Sequence, residues 1–422
     1  MQHSIRPDPT NPQHGAMARA VETCVHCGFC LPACPTYQVL GEEMDSPRGR
    51  IVLMKEVLEG TLTLADVQPH IDQCLGCLGC VTACPSGVQY GDLLVPFRSG
   101  PDTGARPMID RLQRRVLLAT LESPTLFRAS ARLGQIAKGV ERFLPARLKP
   151  MVALLPDRLP AAVTLPAMVQ ARGPRQARVA LLAGCVQQAL DPEVSLATLR
   201  VLAANGVEVV VPAGQGCCGA LALHSGEAHR AYDRATTLMR AFPADVDAII
   251  TNAAGCGSAM KEYGHAFHGR PQAAALGAFA SRVRDVSEFL QTLGLVEPPP
   301  LPAPLTVAYH DACHLAHGQG IRSAPRALLA SIPNLRVVEI PNGDTCCGSA
   351  GLYNVEHPDI AMELGARKAA AVIATGADVV AAGNIGCLVQ IATGLARASA
   401  SVPVRHTMQI LDSAYEGHTE TP

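Results

Sequence analysis

The stretches CVHCGFCLPACP (residues 24–35) and CLGCLGCVTACP (residues 74–85) decide how this chain is built. Each reads C-x2-C-x2-C-x3-C-P, the bacterial ferredoxin spacing, in which three close thiolates grip one cubane and the fourth ligates the other. Two intervening residues let the backbone curl around a metal centre. Proline then fixes its own φ and biases the residue before it away from helix, so the fourth thiolate leaves on a different path. The reading is therefore crossed: Cys24, Cys27, Cys30 and Cys84 for one [4Fe-4S] cluster, Cys74, Cys77, Cys80 and Cys34 for the other. Gly28, Gly76 and Gly79 stand where backbone must approach an inorganic core closely. Paired C-x2-C units also make zinc sites, but two copies with the same third and fourth spacing and the same proline are hard to explain as zinc knuckles. Such a module carries electrons.

Sixteen cysteines in 422 residues, with a net charge of −1, speak for a reducing compartment and metal chemistry and against nucleic-acid binding. The opening MQHSIRPDPTNPQHG is polar and lacks the apolar core of a signal peptide, and no run of eighteen apolar residues follows. The expected location is cytoplasmic, or peripheral on the inner face of the cell membrane. Disulfides are correspondingly disfavoured.

Between the cysteine runs lies an insert, residues 36–73, that compact two-cluster ferredoxins do not need; its spacing predicts helices over 48–58 and 66–71. Residues 15–100 thus read as a helix-rich two-cluster ferredoxin-like domain. Residues 101–177 contain no cysteine and are rich in arginine, alanine, leucine and proline, giving a helical linker with helices over 108–122 and 124–143. A basic amphipathic helix of this kind can lie on an anionic membrane, although a solvated arginine face on a packing helix explains it more simply.

Beyond residue 177 the chain repeats itself. VALLAGC (179–185) corresponds to TVAYHDAC (306–313), VEVVVPAGQGCCGALAL (207–223) to LRVVEIPNGDTCCGSAGL (335–352), and DAIITNAAGCG (247–257) to DVVAAGNIGC (378–387). The offset is about 130 residues throughout, which marks a duplication. Strand-like runs alternate with helical stretches at 193–204 and 361–375, so residues 178–297 and 304–417 read as two α/β units with parallel sheets. The fold class is α+β and multidomain. Because function in parallel α/β units gathers at the carboxyl ends of strands, Cys185, Cys217, Cys218 and Cys256 should converge in one unit, and Cys313, Cys346, Cys347 and Cys387 in the other. Each set is a candidate metal or redox site, including a further iron–sulfur cluster; the bland reading is thiols left over in a duplicated scaffold. Gly184, Gly219, Gly255 and Gly257 would clear space for such a cluster. Beside Cys313 stand His310, Asp311, His314 and His317, of which His310 and His314 are candidates for a ligand or proton-shuttling role.

The run from Cys24 to Gly60, followed by CLGCLGCVTACPSGVQYG and two Cys-Cys-Gly repeats, resembles the iron–sulfur subunits of bacterial glycolate oxidase (glycolate dehydrogenase) over nearly the whole chain. The resemblance implies a complex in which a flavin-bearing catalytic subunit, carrying FAD, and a related second subunit oxidise glycolate to glyoxylate. This chain would then pass the electrons through two [4Fe-4S] clusters to a quinone-type acceptor, with no catalytic residue of its own. Similar layouts serve glycerol-3-phosphate and lactate dehydrogenase complexes. Cys-Cys-Gly domains also occur in heterodisulfide reductases, which act on disulfides and end the motif in C-x2-C around a noncubane cluster. Here Cys256 is followed by GSAM and Cys387 by LVQI, so that last cysteine is missing from both copies.

Overall fold

The computed structural model describes residues 1–8, 13–99, 108–139, 141–145 and 148–417. The insert between the cysteine runs folds as two helices, each started by a local device. Ser46 caps Pro47–Glu59 by accepting from the Gly49 N–H at 3.0 Å, and Thr63 with Asp66 forms a capping box on Leu64–Asp72. With His14–Thr23 and Gly91–Ser99 they enclose a core of Val21, Ile51, Met54, Val67, Ile71 and Leu93. The cysteine loops lie on one side of that core.

Helices Met108–Leu121 and Pro124–Lys138 follow, the first within one residue of its expected bounds and the second ending at Lys138 instead of 143, and leave Leu112, Leu133 and Ile136 largely exposed. The carboxylate of Glu122, its side chain fully buried, accepts from Arg230 at 2.8–2.9 Å and from Arg234 at 2.8 Å, which pins this hairpin to the repeat region. The stretch read as linker does not end in irregular chain. Met168–Val169 (β1) pairs antiparallel with the first sheet, because an edge position needs only one ladder partner.

Among the described residues nine strands make two sheets. The first, in order β1-β3-β2-β4-β5, uses Ala177–Leu181 (β2), Val207–Val210 (β3), Ala248–Thr251 (β4) and Val283–Asp285 (β5). The second, in order β7-β6-β8-β9, uses Leu305–His310 (β6), Leu335–Glu339 (β7), Val379–Ala382 (β8) and Val404–His406 (β9). All pairings except β1 with β3 are parallel, and the four repeated strands take the same order in both sheets. The duplication extends to single bonds: Asp247 accepts from the Arg178 N–H at 2.8 Å, and Asp378 from the Thr306 N–H at 2.7 Å.

The two units are not separate bodies. Leu181, Leu199 and Leu202 of the first share a continuous core with Tyr309, Leu329, Met408 and Leu411 of the second, and helix Glu193–Ala204 packs on Thr407–Glu416. Among the described residues no helix is long and apolar enough to cross a membrane.

Candidate iron–sulfur and cysteine sites

The two ligand loops share one backbone device. Left-handed φ values occur at His26 and Gly28 in the first loop, and at Gly76 and Leu78 in the second, the same two places relative to the leading cysteine. Each loop therefore sets one glycine and one larger residue in a conformation that L side chains rarely adopt, which bends it around a central space. Gly79 serves differently: it opens the short helix Gly79–Thr82, where a Cβ would sit 3.2 Å from the Ala33 carbonyl oxygen.

Two adjoining clefts result. One, with about 420 Å³ of atom-free space counting its open mouth, is lined by Cys24, Cys27, Cys30 and Cys84 with Ile51 and Val88. The other, about 330 Å³, is lined by Cys34, Cys74 and Cys77 with Leu75 and Leu78, and Cys80 borders both. Each fourth cysteine thus lies with the opposite loop. Burial pushes the Cys30 thiol up to about 11 and raises Cys77 and Cys80 well above the ordinary thiol range, and a cationic centre in their midst would favour the thiolates instead. The apolar walls, the convergent thiols and the curled loops fit a four-iron cluster in each cleft.

Arg50 was not among the residues that spacing could single out. Its side chain is fully buried; the guanidinium donates to the His70 carbonyl at 2.6 Å, to Thr36 Oγ1 at 3.1 Å and to Asp45 Oδ1 at 3.4 Å, and stands 4.0 Å from Cys34 Sγ. Burial works against its charge, yet Cys74, Tyr90, Cys34 and Asp45 hold its pKa above the ordinary value. The only sequence trace is Ser46-Pro47, a helix start that fixes which face Arg50 occupies. Arg98 is a second such residue, donating to the carbonyls of Cys74, Ile71 (3.3 Å) and His224 (3.0 Å), and so tying the second loop to the first repeat.

In the repeats the cysteines lie beyond the strand ends rather than at them. Cys185 follows β2 by a short loop and caps helix Val186–Leu190; Cys217 and Cys218 occupy the loop after β3; Cys256 lies in the first turn of Ala254–Lys261. Cys313, Cys346, Cys347 and Cys387 repeat these places after β6, β7 and β8. Because β2 and β6 are central and successive crossovers leave them on opposite sides, these loops meet at each sheet's switch point. In both Cys-Cys-Gly turns the glycine has positive φ, and a Cβ would come within 3.0 Å of the Ala231 carbonyl oxygen at Gly219 and 2.6 Å of that of Ala361 at Gly348. The turn is thereby pressed against the second helix beyond it, Ala228–Ala241 in the first repeat and Pro358–Ile373 in the second, and its two cysteines face different neighbours.

Cys185 Sγ lies 3.5 Å from Cys217 Sγ, and Cys217 also accepts from the Gly219 N–H at 3.4 Å. Hydrogen bonds from Cys185 and then Cys218 hold the Cys217 thiol well below its ordinary range. In the second repeat, contact with Cys346 does the same for Cys313 and for Cys347. Cys313 and Cys346 pack with Leu75, Cys77 and Tyr353 toward the N-terminal loops, whereas Cys347 and Cys387 lie in the core of their own unit. His317 Nδ1 meets Thr82 Oγ1 at 2.9 Å, so the dicluster region is seated on the second repeat's cysteine crevice. Asp311 is bound by Arg326 at 2.7 and 2.8 Å and is committed to that pair. His314 contacts Cys313 at 3.5 Å and the His224 ring at 4.9 Å.

Comparison with known proteins matches this layout. A 4Fe-4S dicluster domain is recognised over residues 20–88, and a cysteine-rich domain twice, over residues 179–261 and 307–392. The probable glycolate oxidase iron–sulfur subunit of Bacillus subtilis is 37% identical over 403 residues, which cover 90% of each chain. That of Escherichia coli is 34% identical over 94% of this chain and 97% of its own. The chain belongs to the glycolate oxidase iron–sulfur subunit family. As a member of that family it is an iron–sulfur electron-transfer protein. Lactate utilization protein A of Geobacillus kaustophilus is 31% identical across 56% of this chain and 99% of its own length. A hypothetical protein from Helicobacter pylori shares the fold, with a TM-score of 0.57 over 97% of this chain at 10% identity.

Proposed function

We propose that Cys24, Cys27, Cys30 and Cys84 hold one [4Fe-4S] cluster and Cys74, Cys77, Cys80 and Cys34 the other, in an electron-transfer subunit of a glycolate-oxidising complex. The pairing of each fourth cysteine with the opposite cleft carries this reading. A bound [4Fe-4S] cluster accepts and releases single electrons, which divides the two-electron oxidation of a hydroxy acid into one-electron steps. The chain's own residues supply the surroundings: Leu75, Leu78 and Val88 exclude water, Arg50 places a fixed positive charge beside Cys34, and Arg98 fixes the Cys74 carbonyl. The substrate is oxidised elsewhere, by a flavin-bearing partner subunit together with a related second subunit, and the electrons leave for a quinone-type acceptor. Cys185, Cys217, Cys218, Cys256 and Cys313, Cys346, Cys347, Cys387 form additional thiol sites. Of these, the second repeat's pair Cys313–Cys346 stands next to the Cys77 loop. His314, half-buried beside Cys313, is placed to hold a proton there. The complex works in the cytoplasm or on the inner membrane face.

Anaerobic iron and sulfide analysis with EPR of the purified chain tests the cluster assignment; about eight irons per chain are expected from the N-terminal pair. Reduction of the chain by its flavoprotein partner with glycolate, and not with lactate or glycerol 3-phosphate, tests the donor. The likeness to lactate utilization protein A makes lactate the second reading, and reduction with lactate alone would select it.

A further inference from the structure

His310, at the end of β6, is 1% exposed, and among the described residues its ring nitrogens meet no hydrogen-bond partner beyond the neighbouring Cys347 thiol. An imidazole buried this way is left with polar capacity that the protein does not fill. Its nitrogen lies with Cys347 Sγ and Cys387 Sγ in a group whose ligand atoms are all within 4.8 Å of one another, and both cysteines are 1% exposed. Asn384 Nδ2 donates to Cys387 Sγ at 3.5 Å, the kind of outer bond that orients a metal-bound thiolate.

We infer that His310, Cys347 and Cys387 form a binding site for a single divalent transition-metal ion of borderline softness, of which Zn²⁺ is the type. Two thiolates neutralise the ion and the imidazole adds a third ligand, a set that suits such cations. Bond lengths of about 2.0–2.3 Å to a tetrahedral centre put ligand atoms roughly 3.5–3.8 Å apart, so modest side-chain shifts close the three around one ion. A cubane instead needs each thiolate on a separate iron and spreads them further apart.

The duplication provides an internal contrast. Leu182, buried at 2%, holds in the first repeat the place that His310 holds in the second, three residues beyond Val179 and Val307, which pair with Ala248 and Val379 respectively. The first repeat is thus all thiol, and only the second has the imidazole. Asp311, next in sequence, is held by Arg326 and does not compete as a ligand. Cys313 and Cys346 pack toward the Cys77 loop, and Cys346 also contacts Cys347. The inference therefore does not depend on how electrons move through the N-terminal clusters.

The test is metal analysis of the full chain purified anaerobically, with Zn²⁺ and then Co²⁺ offered as probes. Expected is one non-iron equivalent per chain beyond the cluster iron, with cobalt giving the tetrahedral thiolate charge-transfer spectrum. His310→Leu, which places at this site the residue that fills its counterpart, should fold, keep the cluster iron and lose that equivalent. Cys387→Ser should also lose it, and Cys256→Ser should retain it. No bound zinc or cobalt in the wild type would overturn the inference. So would extra iron with matching sulfide that Cys387→Ser removes and His310→Leu leaves unchanged, since that describes a cluster held on thiols alone.

Discussion

Arg50→Met removes a fully buried guanidinium beside the candidate clusters while keeping much of its volume. The lost bonds are those to the His70 carbonyl (2.6 Å), Thr36 Oγ1 (3.1 Å) and Asp45 Oδ1 (3.4 Å). Asp45 is only 4% exposed, so its carboxylate stays behind in a place that water scarcely reaches. Breaking one side of a buried pair costs about 3–5 kcal/mol. His70 Nδ1, 2.9 Å from Asp45 Oδ1, remains as a partner and sets the expectation at the lower end, about 3 kcal/mol. In a unit of under a hundred residues that corresponds to a fall in Tm of roughly 12–24 °C. The assay is an anaerobic thermal melt followed by cluster absorption, with iron analysis before and after. Adding Asp45→Asn to Arg50→Met should recover about 1–2 kcal/mol, because the stranded charge is then gone. An Arg50→Met protein that melts within about 5 °C of the wild type would refute the reasoning. Full additivity of the two substitutions would refute it as well.

Cys84→Ser should remove or alter the cluster read with Cys24, Cys27 and Cys30 in EPR, and leave that of Cys74, Cys77 and Cys80; the opposite outcome would reverse the crossed assignment. Glu122→Ala, by removing the shared partner of Arg230 and Arg234, both partly open to solvent, should cost about 1 kcal/mol and make residues 108–138 more sensitive to brief trypsin treatment, an effect Glu122→Gln shows more weakly. His406 gives a pH dependence: burial holds its pKa down to about 4, its Nε2 donates to the Asn252 carbonyl at 2.8 Å and its Nδ1 accepts from the Met408 N–H at 3.1 Å. Since the folded value lies below the unfolded one, the unfolded chain binds more protons between them. Stability is then fully present above about pH 6.5 and is lost as pH falls toward 4, by roughly 2 kcal/mol between pH 7 and pH 5. Asp285, at the matching cap of the first repeat, is raised to about 6 by burial and acts in the opposite sense. Urea midpoints of the wild type against His406→Asn at both pH values isolate the histidine, and an unchanged difference would discount it.

The cysteine spacing and the offset of about 130 residues were enough to announce a two-cluster module and a duplicated α/β region, because both depend on short-range chain geometry. Helices expected over 48–58 and 193–204 are found at Pro47–Glu59 and Glu193–Ala204 for the same reason: their apolar periods are local. Three things were not legible. A buried arginine such as Arg50 looks in sequence like any arginine on a helix, and only packing against Asp45, Thr36 and His70 makes it part of a cluster wall. A two-residue edge strand, Met168–Val169, has too little periodicity to be seen amid prolines and forms only because β3 offers it a ladder. The paired cysteines of each Cys-Cys-Gly turn face different neighbours because Gly219 and Gly348 are pressed against helices Ala228–Ala241 and Pro358–Ile373, a fact of packing that the turn's own sequence does not carry.

By itself, then, the sequence determined the chemistry of this protein, since a thiolate spacing and a repeat are properties of the chain as a line. The tertiary structure decided the grouping. It seated the Cys77 loop against Cys313 and Cys346, and turned Cys347 and Cys387 inward toward a histidine that the first repeat replaces with leucine. Those neighbours come from strands and helices far apart in the chain, and their meeting follows from sheet order and burial, which no local pattern records.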